Sequence, residues 1–256
     1  MIKFVAETVM WNYQEITDRM KKLITPLILL LLLLLNACTE ENEDYFASQD
    51  FTYYPIELGK YNQYDVTEIN IDAPSEVYDT SQYQLKELIG GTYIDNVGRK
   101  AYMFVRYKRP HDSAVWSLSD VWSVQINNHR LFLTEENIEY VKIYFPADLQ
   151  KSWDGNAYNT LDPMEYEVTG VDEVLQVNGH MFDSVLTVTQ KADSSLIHKD
   201  YRIEQFARDT GLIYKEITTI NSQEIEPGVP LEERITTGSI FRQTFVKRGK
   251  DDDYEF

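Results

Sequence analysis

Short stretches that alternate between apolar and polar residues recur from about residue 60 to residue 246. In residues 185–190, Val-Leu-Thr-Val-Thr-Gln, the side chains change face at every position, which is the period of a half-buried strand. Val, Ile, Thr, Tyr and Phe, which suit a pleated surface, are frequent, and sustained helical spacing is scarce. The pattern predicts strands over residues 64–71, 83–89, 102–107, 121–126, 141–145, 166–168, 174–177, 181–188, 201–206 and 212–220.

Turn-forming residues separate these stretches. Asn178-Gly179 is the clearest hairpin signal, because both residues accept the positive φ of a type I′ turn. Nine or ten short strands joined by such turns predict one antiparallel all-β domain over residues 51–246. We expect a strongly curved or barrel-like sheet, with little helix outside the N-terminal segment. Residues 247–256 contain Asp251-Asp252-Asp253 and are predicted to form a disordered acidic tail.

The N-terminal part of the chain has a different pattern, with one continuous apolar run over residues 23–35 that follows Met20-Lys21-Lys22. As a helix at about 1.5 Å per residue the run spans roughly 20 Å, short of the ~30 Å hydrocarbon layer of a membrane. A basic flank, an apolar core and small residues before a cleavage site are typical of a secretory signal peptide. We assign residues 20–37 to this segment and interpret residues 1–19, which carry acidic charge, as a mis-assigned start; an extended signal flank is the alternative.

The run ends at Leu35-Asn36-Ala37-Cys38 and contains the signal of a lipid anchor. These four residues resemble the lipobox of bacterial lipoproteins, in which the cysteine thiol is acylated and the preceding peptide bond is cleaved. The resemblance implies a mature chain that begins at Cys38 and is held by acyl chains on an outer membrane. The plainer alternative is an ordinary signal peptide beside an uninvolved cysteine. Cys38 is the chain's only cysteine, so a disulfide within the chain is excluded.

Acidic residues dominate both the segment after Cys38 and the whole chain. Residues 38–50 hold Glu40, Glu41, Glu43 and Asp44, and are predicted to be a flexible tether. Similar acidic stretches mark surface-exposed lipoproteins of some Gram-negative bacteria, so surface exposure is favoured over the periplasmic side. From Cys38 onward there are 20 basic and 39 acidic residues. Such a charge repels phosphate backbones, so nucleic acid is not an expected partner.

A second resemblance covers nearly the whole β domain. The opening Tyr53-Tyr54-Pro55-Ile56-Glu57-Leu58-Gly59-Lys60-Tyr61 is similar to a motif of exported bacterial lipoproteins of uncharacterised function, although Gln63 or Tyr64 stands where tryptophan is usual. Further matches follow in order at residues 84–87, 106–109, 121–122, 145–146, 153–156, 204–207, 211–216, 238 and 241–243. The resemblance supports the location and the single domain, and it implies no activity.

Few residues point to catalysis. The four histidines, His111, His129, His180 and His198, have no metal-ligand spacing, and no nucleophile elbow or phosphate-binding loop is present. We therefore expect no metal and no cofactor. Trp116, Trp122 and Trp153 are the candidate ligand-binding residues, since exposed rings stack on sugars or peptides, whereas buried rings would belong to the core. Trp116 and Trp122 have the same parity on a strand and are expected to share a face.

Three functions remain open from the sequence. The first is a binding or structural envelope lipoprotein, with the membrane contacted through Cys38 and a glycan or envelope protein as its other partner. The second is a carrier that holds an apolar ligand in its curved sheet. The third is a hydrolase of envelope or dietary polymers, which is disfavoured because no catalytic residues can be singled out among so many acids.

Overall fold

A computed structural model describes residues 50 to 251. Cys38, the lipobox, the signal segment and most of the tether lie outside the described residues. Within residues 50–251 there are three short 3-10 helices, at Phe51–Tyr53, Ala73–Ser75 and Leu231–Glu233. The strands are β1 (Lys60–Asp72), β2 (Val77–Ile94), β3 (Lys100–Arg109), β4 (Ser117–Asn127), β5 (Arg130–Glu135), β6 (Ile138–Tyr144), β7 (Ser152–Asp154), β8 (Glu165–Val177), β9 (His180–Ser194), β10 (His198–Ala207), β11 (Gly211–Asn221) and β12 (Thr237–Lys250).

The strands form one antiparallel sheet in the order β6-β5-β4-β3-β2-β1-β12-β11-β10-β9-β8-β7. From β1 to β6 each strand pairs with the one before it, and β6 is one edge of the sheet. The chain then crosses to the opposite edge at β7, and successive strands from β7 to β12 again pair with one another. Pairing of β1 with β12, from Lys60 opposite Lys250 to Asp72 opposite Thr237, joins the two halves. The predicted all-β, antiparallel and strongly curved domain is therefore confirmed.

The two edges of the sheet meet along a seam, so the sheet nearly closes into a barrel. The Val141 amide of β6 donates to the Gly155 carbonyl at 2.9 Å, and Trp153 Nε1 of β7 donates to the Val141 carbonyl at 2.8 Å. Asn159 Nδ2 donates to the Glu139 carbonyl at 2.9 Å. Gly155 is required here because a side chain at this position would overlap the Tyr166 ring. The segment after β7 thus satisfies backbone groups that an open edge would leave unpaired.

Tight turns with left-handed backbone connect several strands. The predicted Asn178-Gly179 hairpin is confirmed: φ is 48° at Asn178 and 82° at Gly179, between β8 and β9. Similar pairs, Asn128-His129 and Glu136-Asn137, join β4 to β5 and β5 to β6. His129 is thus a turn residue.

Apolar side chains from both halves of the sheet fill the interior. The larger cluster includes Phe104, Val124, Leu131, Leu186 and Phe206, all almost fully buried. A second cluster lies where the bent β8–β9 hairpin packs near β1 and β12, with its His180 and Phe182 rings 5.4 and 5.6 Å from the ring of Phe245. Three register shifts in the pairing of β8 with β9 accompany this bend.

The predicted boundaries differ from the structure in three places. The sequence pattern did not predict strands β5, β7 and β12. β5 is a short run between two turns, and β7 has only three residues. β12 follows a long loop. β12 continues to Lys250, so the predicted tail began too early, because pairing with β1 keeps residues 247–250 in the sheet. Residues 252–256 lie outside the described part.

We expect Trp153→Phe to destabilise the domain by about 1–2 kcal/mol, because it removes the indole donor of the seam and leaves the Val141 carbonyl unsatisfied. Denaturant unfolding and amide exchange at Val141 measure the effect. Trp116→Phe is the matched control: Trp116 packs under Arg109, whose guanidinium lies 4.3 Å from the ring centroid, away from the seam. Equal stability of the two variants would contradict the role assigned to the seam.

Candidate functional site

A group of charged side chains points into the barrel among apolar neighbours. Register places Glu204 of β10 opposite Lys215 of β11, and Lys215 opposite Gln243 of β12. Glu87 of β2 lies opposite Arg106 of β3. Side chains of directly paired residues share a face of the sheet, so these residues line one interior surface. With two residues from β5 and β6 they form the interior charge cluster, which consists of Glu87, Arg106, Glu135, Lys142, Glu204 and Lys215.

Lys142 is at the centre of the interior charge cluster. Its Nζ lies 2.7 Å from Glu204 Oε1 and 3.3 Å from Glu135 Oε1. A bulge positions it: Leu131 pairs with Ile143 and Phe132 with Val141, so Lys142 is the extra residue on β6. Such bulges change the direction of a side chain, and this one places the ammonium inside the barrel.

The remaining ion pairs extend the cluster around the wall. Lys215 Nζ lies 3.3 Å from Glu204 Oε1, and Arg106 Nε donates to Glu87 Oε1 at 3.2 Å. The Arg106 guanidinium also stacks 3.8 Å from the Trp122 ring centroid. Three carboxylates and three cations therefore balance in the interior, which limits the cost of burying charge.

The pKa values reflect this arrangement. Burial by itself would raise the pKa of Glu135, but the charges of Lys142 and Lys215 lower it to about 2. Burial would lower the pKa of Lys142, yet the carboxylates of Glu204 and Glu135 raise it well above its usual value. Glu87 differs: burial raises its pKa, against the opposing effects of Arg106 and Lys215. At Glu87 the effect of burial on the pKa is therefore larger than the opposing effect of the neighbouring cations.

A small enclosed cavity of about 30 Å³ lies within the interior charge cluster. Two buried polar atoms of its lining residues, Glu204 Oε2 and Gln243 Nε2, have no hydrogen-bond partner among the described residues. A cavity of this size holds about one water molecule, which would accept from the amide and donate to the carboxylate. At this volume, the cavity has no room for a ligand of drug size.

A larger pocket opens at one end of the barrel, and we call it the mouth pocket. Its volume is about 520 Å³, within the range of ~300–1,000 Å³ typical of small-molecule sites. Glu87 lies at its inner end, since that residue also lines the enclosed cavity. The other lining residues are Tyr54, Pro55, Lys60, Tyr61, Asn62, Tyr64, Ile89, Phe104, Asp209, Thr210, Gly211, Leu212, Arg248, Gly249 and Lys250.

The segment before β1 forms one wall of the mouth pocket. Tyr53 and Tyr54 are buried, and the Tyr54 ring packs 6.0 Å from that of Phe206. The Tyr53 hydroxyl donates to Asp172 Oδ1 at 2.7 Å, and the Asp209 amide donates to the Thr52 carbonyl at 2.7 Å. These bonds hold the segment across the end of the barrel. The mouth pocket is the opening left beside it.

The opposite wall comes from the strands and one turn. Asn62 Nδ2 donates to the Thr210 carbonyl at 2.8 Å, and the Tyr64 hydroxyl donates to the Leu212 carbonyl at 3.1 Å. Arg248 Nη1 donates to the Asp209 carbonyl at 2.6 Å. The pocket wall is therefore tied together across β1, β12 and the β10–β11 turn.

The structure places the three candidate tryptophans in different surroundings. Trp122 is half-buried, stacked 6.4 Å from Phe104, with its Nε1 donating to Glu136 at 3.2 Å. Trp153 belongs to the seam. Trp116 precedes β4, and the bulge at Arg106/Tyr107 interrupts the alternation between it and Trp122. Their role in ligand binding stays a prediction; none of the three lines the mouth pocket.

Within residues 50–251 no group of three or more His, Cys, Asp or Glu is arranged to hold a metal ion. That part of the chain also has no helix with the length and apolar character needed to cross a membrane. The residues that line the mouth pocket include neither histidine, serine nor cysteine. The titratable side chains of the lining are two acids, three tyrosines and three cations: Glu87, Asp209, Tyr54, Tyr61, Tyr64, Lys60, Arg248 and Lys250.

Comparisons with known proteins assign no family to the chain. No protein-family model matches it, and no curated protein matches it. Among solved structures it is similar to a LolA superfamily protein from Nitrosomonas europaea, at 12% identity over 82% of this chain and 94% of that chain, with a TM-score of 0.20. A TM-score this low does not indicate a common fold.

Sequence reasoning did not single out the interior charge cluster, although a signal exists. Glu87 lies between Leu85 and Ile89 at the period of two, so a charge shares the face of two apolar residues. Glu204 has the same relation to Phe206. An acid on the buried face of a strand requires a cation nearby, but the sequence does not identify that cation.

Removal of the Lys142 amine should strongly destabilise the domain. We expect Lys142→Met to destabilise the domain by about 3–5 kcal/mol, because it leaves Glu204 and Glu135 without their shared cation. Lys199→Met is the matched control: its ion pair with Glu232 has the same 2.7 Å distance but lies at the surface, so the loss should stay below about 1 kcal/mol. Adding Glu204→Gln to Lys142→Met should restore part of the stability, and urea unfolding measures all three variants. Equal losses for the two lysine variants would exclude a special role of burial.

The pKa of Glu135 predicts an acid-sensitive interior. Its folded pKa of about 2 lies below its usual 4.5, so its stabilising contribution is complete above pH 4.5 and disappears as the pH falls towards 2. The full loss amounts to ~3 kcal/mol. We expect Glu135→Gln to reduce the slope of unfolding free energy against pH in this interval. Glu165→Gln, at an exposed position of β8, serves as the control and should keep the wild-type slope.

Proposed function

We propose that this chain is an exported lipoprotein, held on an outer membrane by acyl chains on Cys38, whose β domain binds a small ligand in the mouth pocket. The observation that carries the binding role is the pocket itself, with its volume of about 520 Å³ and its mixed lining of apolar, hydroxyl and cationic groups. The anchor rests on the lipobox at residues 35–38. Exposure at the cell surface rests on the acids at residues 40–44, and a glycan or envelope protein remains the proposed further partner.

The position of the tether supports a role close to the membrane. Asp50 lies twelve positions after Cys38, a length that reaches at most ~43 Å when fully extended. Asp50 begins the segment whose Tyr54 and Pro55 line the mouth pocket. An acylated Cys38 would therefore keep the pocket near the lipid surface.

A carrier of an apolar ligand is the second candidate, favoured by the apolar part of the pocket lining. The ligand of such a carrier would occupy the mouth pocket rather than the barrel interior, because the enclosed cavity is only about 30 Å³. A hydrolase is disfavoured by the ion pairs of the interior acids: Glu204 contacts two lysines and Glu87 contacts Arg106.

Two arms test the proposal on the full chain expressed in a Gram-negative host. Cys38→Ser should abolish incorporation of an alkyne-labelled fatty acid and release the protein from the membrane fraction. In the second arm, Leu212→Trp should obstruct the mouth pocket and remove any small molecule that native mass spectrometry finds on the wild-type protein. Leu118→Trp on exposed β4 is the matched control and should retain it. Unchanged fatty-acid labelling of Cys38→Ser would contradict the anchor, and retention by Leu212→Trp would contradict the pocket.

A further inference from the structure

The balance of charge at the mouth pocket is opposite to that of the chain. The whole sequence has 24 basic and 42 acidic residues. The residues lining the pocket include three cations, Lys60, Arg248 and Lys250, and two acids, Glu87 and Asp209. Glu87 already pairs with Arg106 behind the pocket. The opening is thus locally cationic on a strongly acidic protein.

The three cations differ in their availability to a ligand. Lys60 forms an ion pair with Glu57. Arg248 Nη1 is held by the Asp209 carbonyl and, at 3.3 Å, by Thr210 Oγ1. Lys250 is exposed at the end of β12 and has no ion pair among residues 50–251. Its ammonium is therefore available to a ligand, whereas the Arg248 guanidinium is held in place by neutral oxygens.

Register decides which groups share the pocket face with this cation. Arg248 lies opposite Asn62 and Lys250 lies opposite Lys60 across β12 and β1. Because successive side chains of a strand point to opposite faces, Arg248 and Lys250 lie on the same face of β12. Tyr61 pairs with Gly249, where a side chain would overlap its ring, and therefore lies on the other face, with the Lys86 ammonium 4.5 Å from its ring centroid.

Apolar groups occupy another part of the same pocket. Ile89, Phe104, Leu212 and Pro55 contribute to its lining. Phe104 and Ile89 are almost fully buried members of the larger core cluster, so the apolar wall continues into the barrel. The pocket therefore offers an apolar wall and a cationic rim.

We infer that the ligand of the mouth pocket is a single-chain anionic amphiphile, with its apolar body against Ile89, Phe104 and Leu212 and its carboxylate at Lys250, on the face of β12 that also carries Arg248. This inference rests on the proposed function and adds the chemical class of the ligand. A carboxylate gains a charge-assisted hydrogen bond from a free ammonium, whereas a neutral or cationic head group does not. Amphiphiles of this class partition into membranes, where the proposed anchor would hold the pocket.

The test uses the full chain incorporated in phosphatidylcholine vesicles, which have no net charge. Two photoreactive twelve-carbon probes are compared, a diazirine-bearing dodecanoic acid and its methyl ester. Cross-linked peptides are located by mass spectrometry. We expect the acid to label mouth-pocket peptides at least about fivefold more than the ester does, with the difference shrinking as salt screens the contact.

Charge reversal at the rim provides the decisive comparison. Lys250→Glu should reduce pocket labelling by the acid roughly tenfold, as expected for loss of a charge-assisted bond, and leave labelling by the ester unchanged. Lys191→Glu is the matched control, because Lys191 is exposed on β9, has no ion pair among the described residues and lies outside the pocket lining. Circular dichroism verifies that both variants are folded.

The possible results separate this inference from the proposed function. Equal pocket labelling by the two probes, insensitive to Lys250→Glu, would overturn the anionic head group and leave the pocket as a binding site. Absence of pocket labelling by either probe, while both label lipid-exposed parts of the chain, would overturn the pocket as an amphiphile site and count against the proposed function as well.

Discussion

The ion pair between Lys142 and Glu204 is the interaction on which the rest of this barrel depends. Lys142 lies on β6, at one edge of the sheet, and Glu204 lies on β10, three strands from β7 at the opposite edge. Their contact therefore crosses the interior and joins two walls that the strand order keeps far apart. Because an isolated buried charge is very costly, each partner requires opposite charges nearby, and curvature of the sheet brings Lys142 and Glu204 within 2.7 Å of each other.

The same cluster explains why the interior is filled and the mouth is open. Charged and amide groups around Lys142 line the small enclosed cavity, which has a volume of about 30 Å³. The segment from Asp50 to Tyr54 covers one end of the barrel and is held there by Asp172, Arg208 and Asp209. It does not reach the ends of β1 and β12, where the mouth pocket remains. Glu87 connects both spaces, and burial raises its pKa at that junction.

The local features of the fold were predictable because neighbouring residues decide them. A period of two and a pair such as Asn178-Gly179 require no distant contact, and both the all-β class and the hairpin are confirmed. β7 was not predicted because three residues are too few to show an alternation of apolar and polar positions. β5 escaped because its turns, Asn128-His129 and Glu136-Asn137, bring together residues that are weaker turn signals than Asn-Gly. The end of β12 depends on its partner β1, and no local pattern records that pairing.

Local patterns in the sequence were sufficient to predict the antiparallel all-β class, and the linear motif at residues 35–38 led to the predicted anchor on Cys38. The contents of the barrel and the position of the pocket follow from the folded arrangement of the strands. Lys142 and Glu204 are 62 residues apart, and the mouth pocket combines residues from Tyr54 to Lys250. Charge pairing and pocket shape depend on distances between strands, and those distances follow from closure of the sheet rather than from any local pattern.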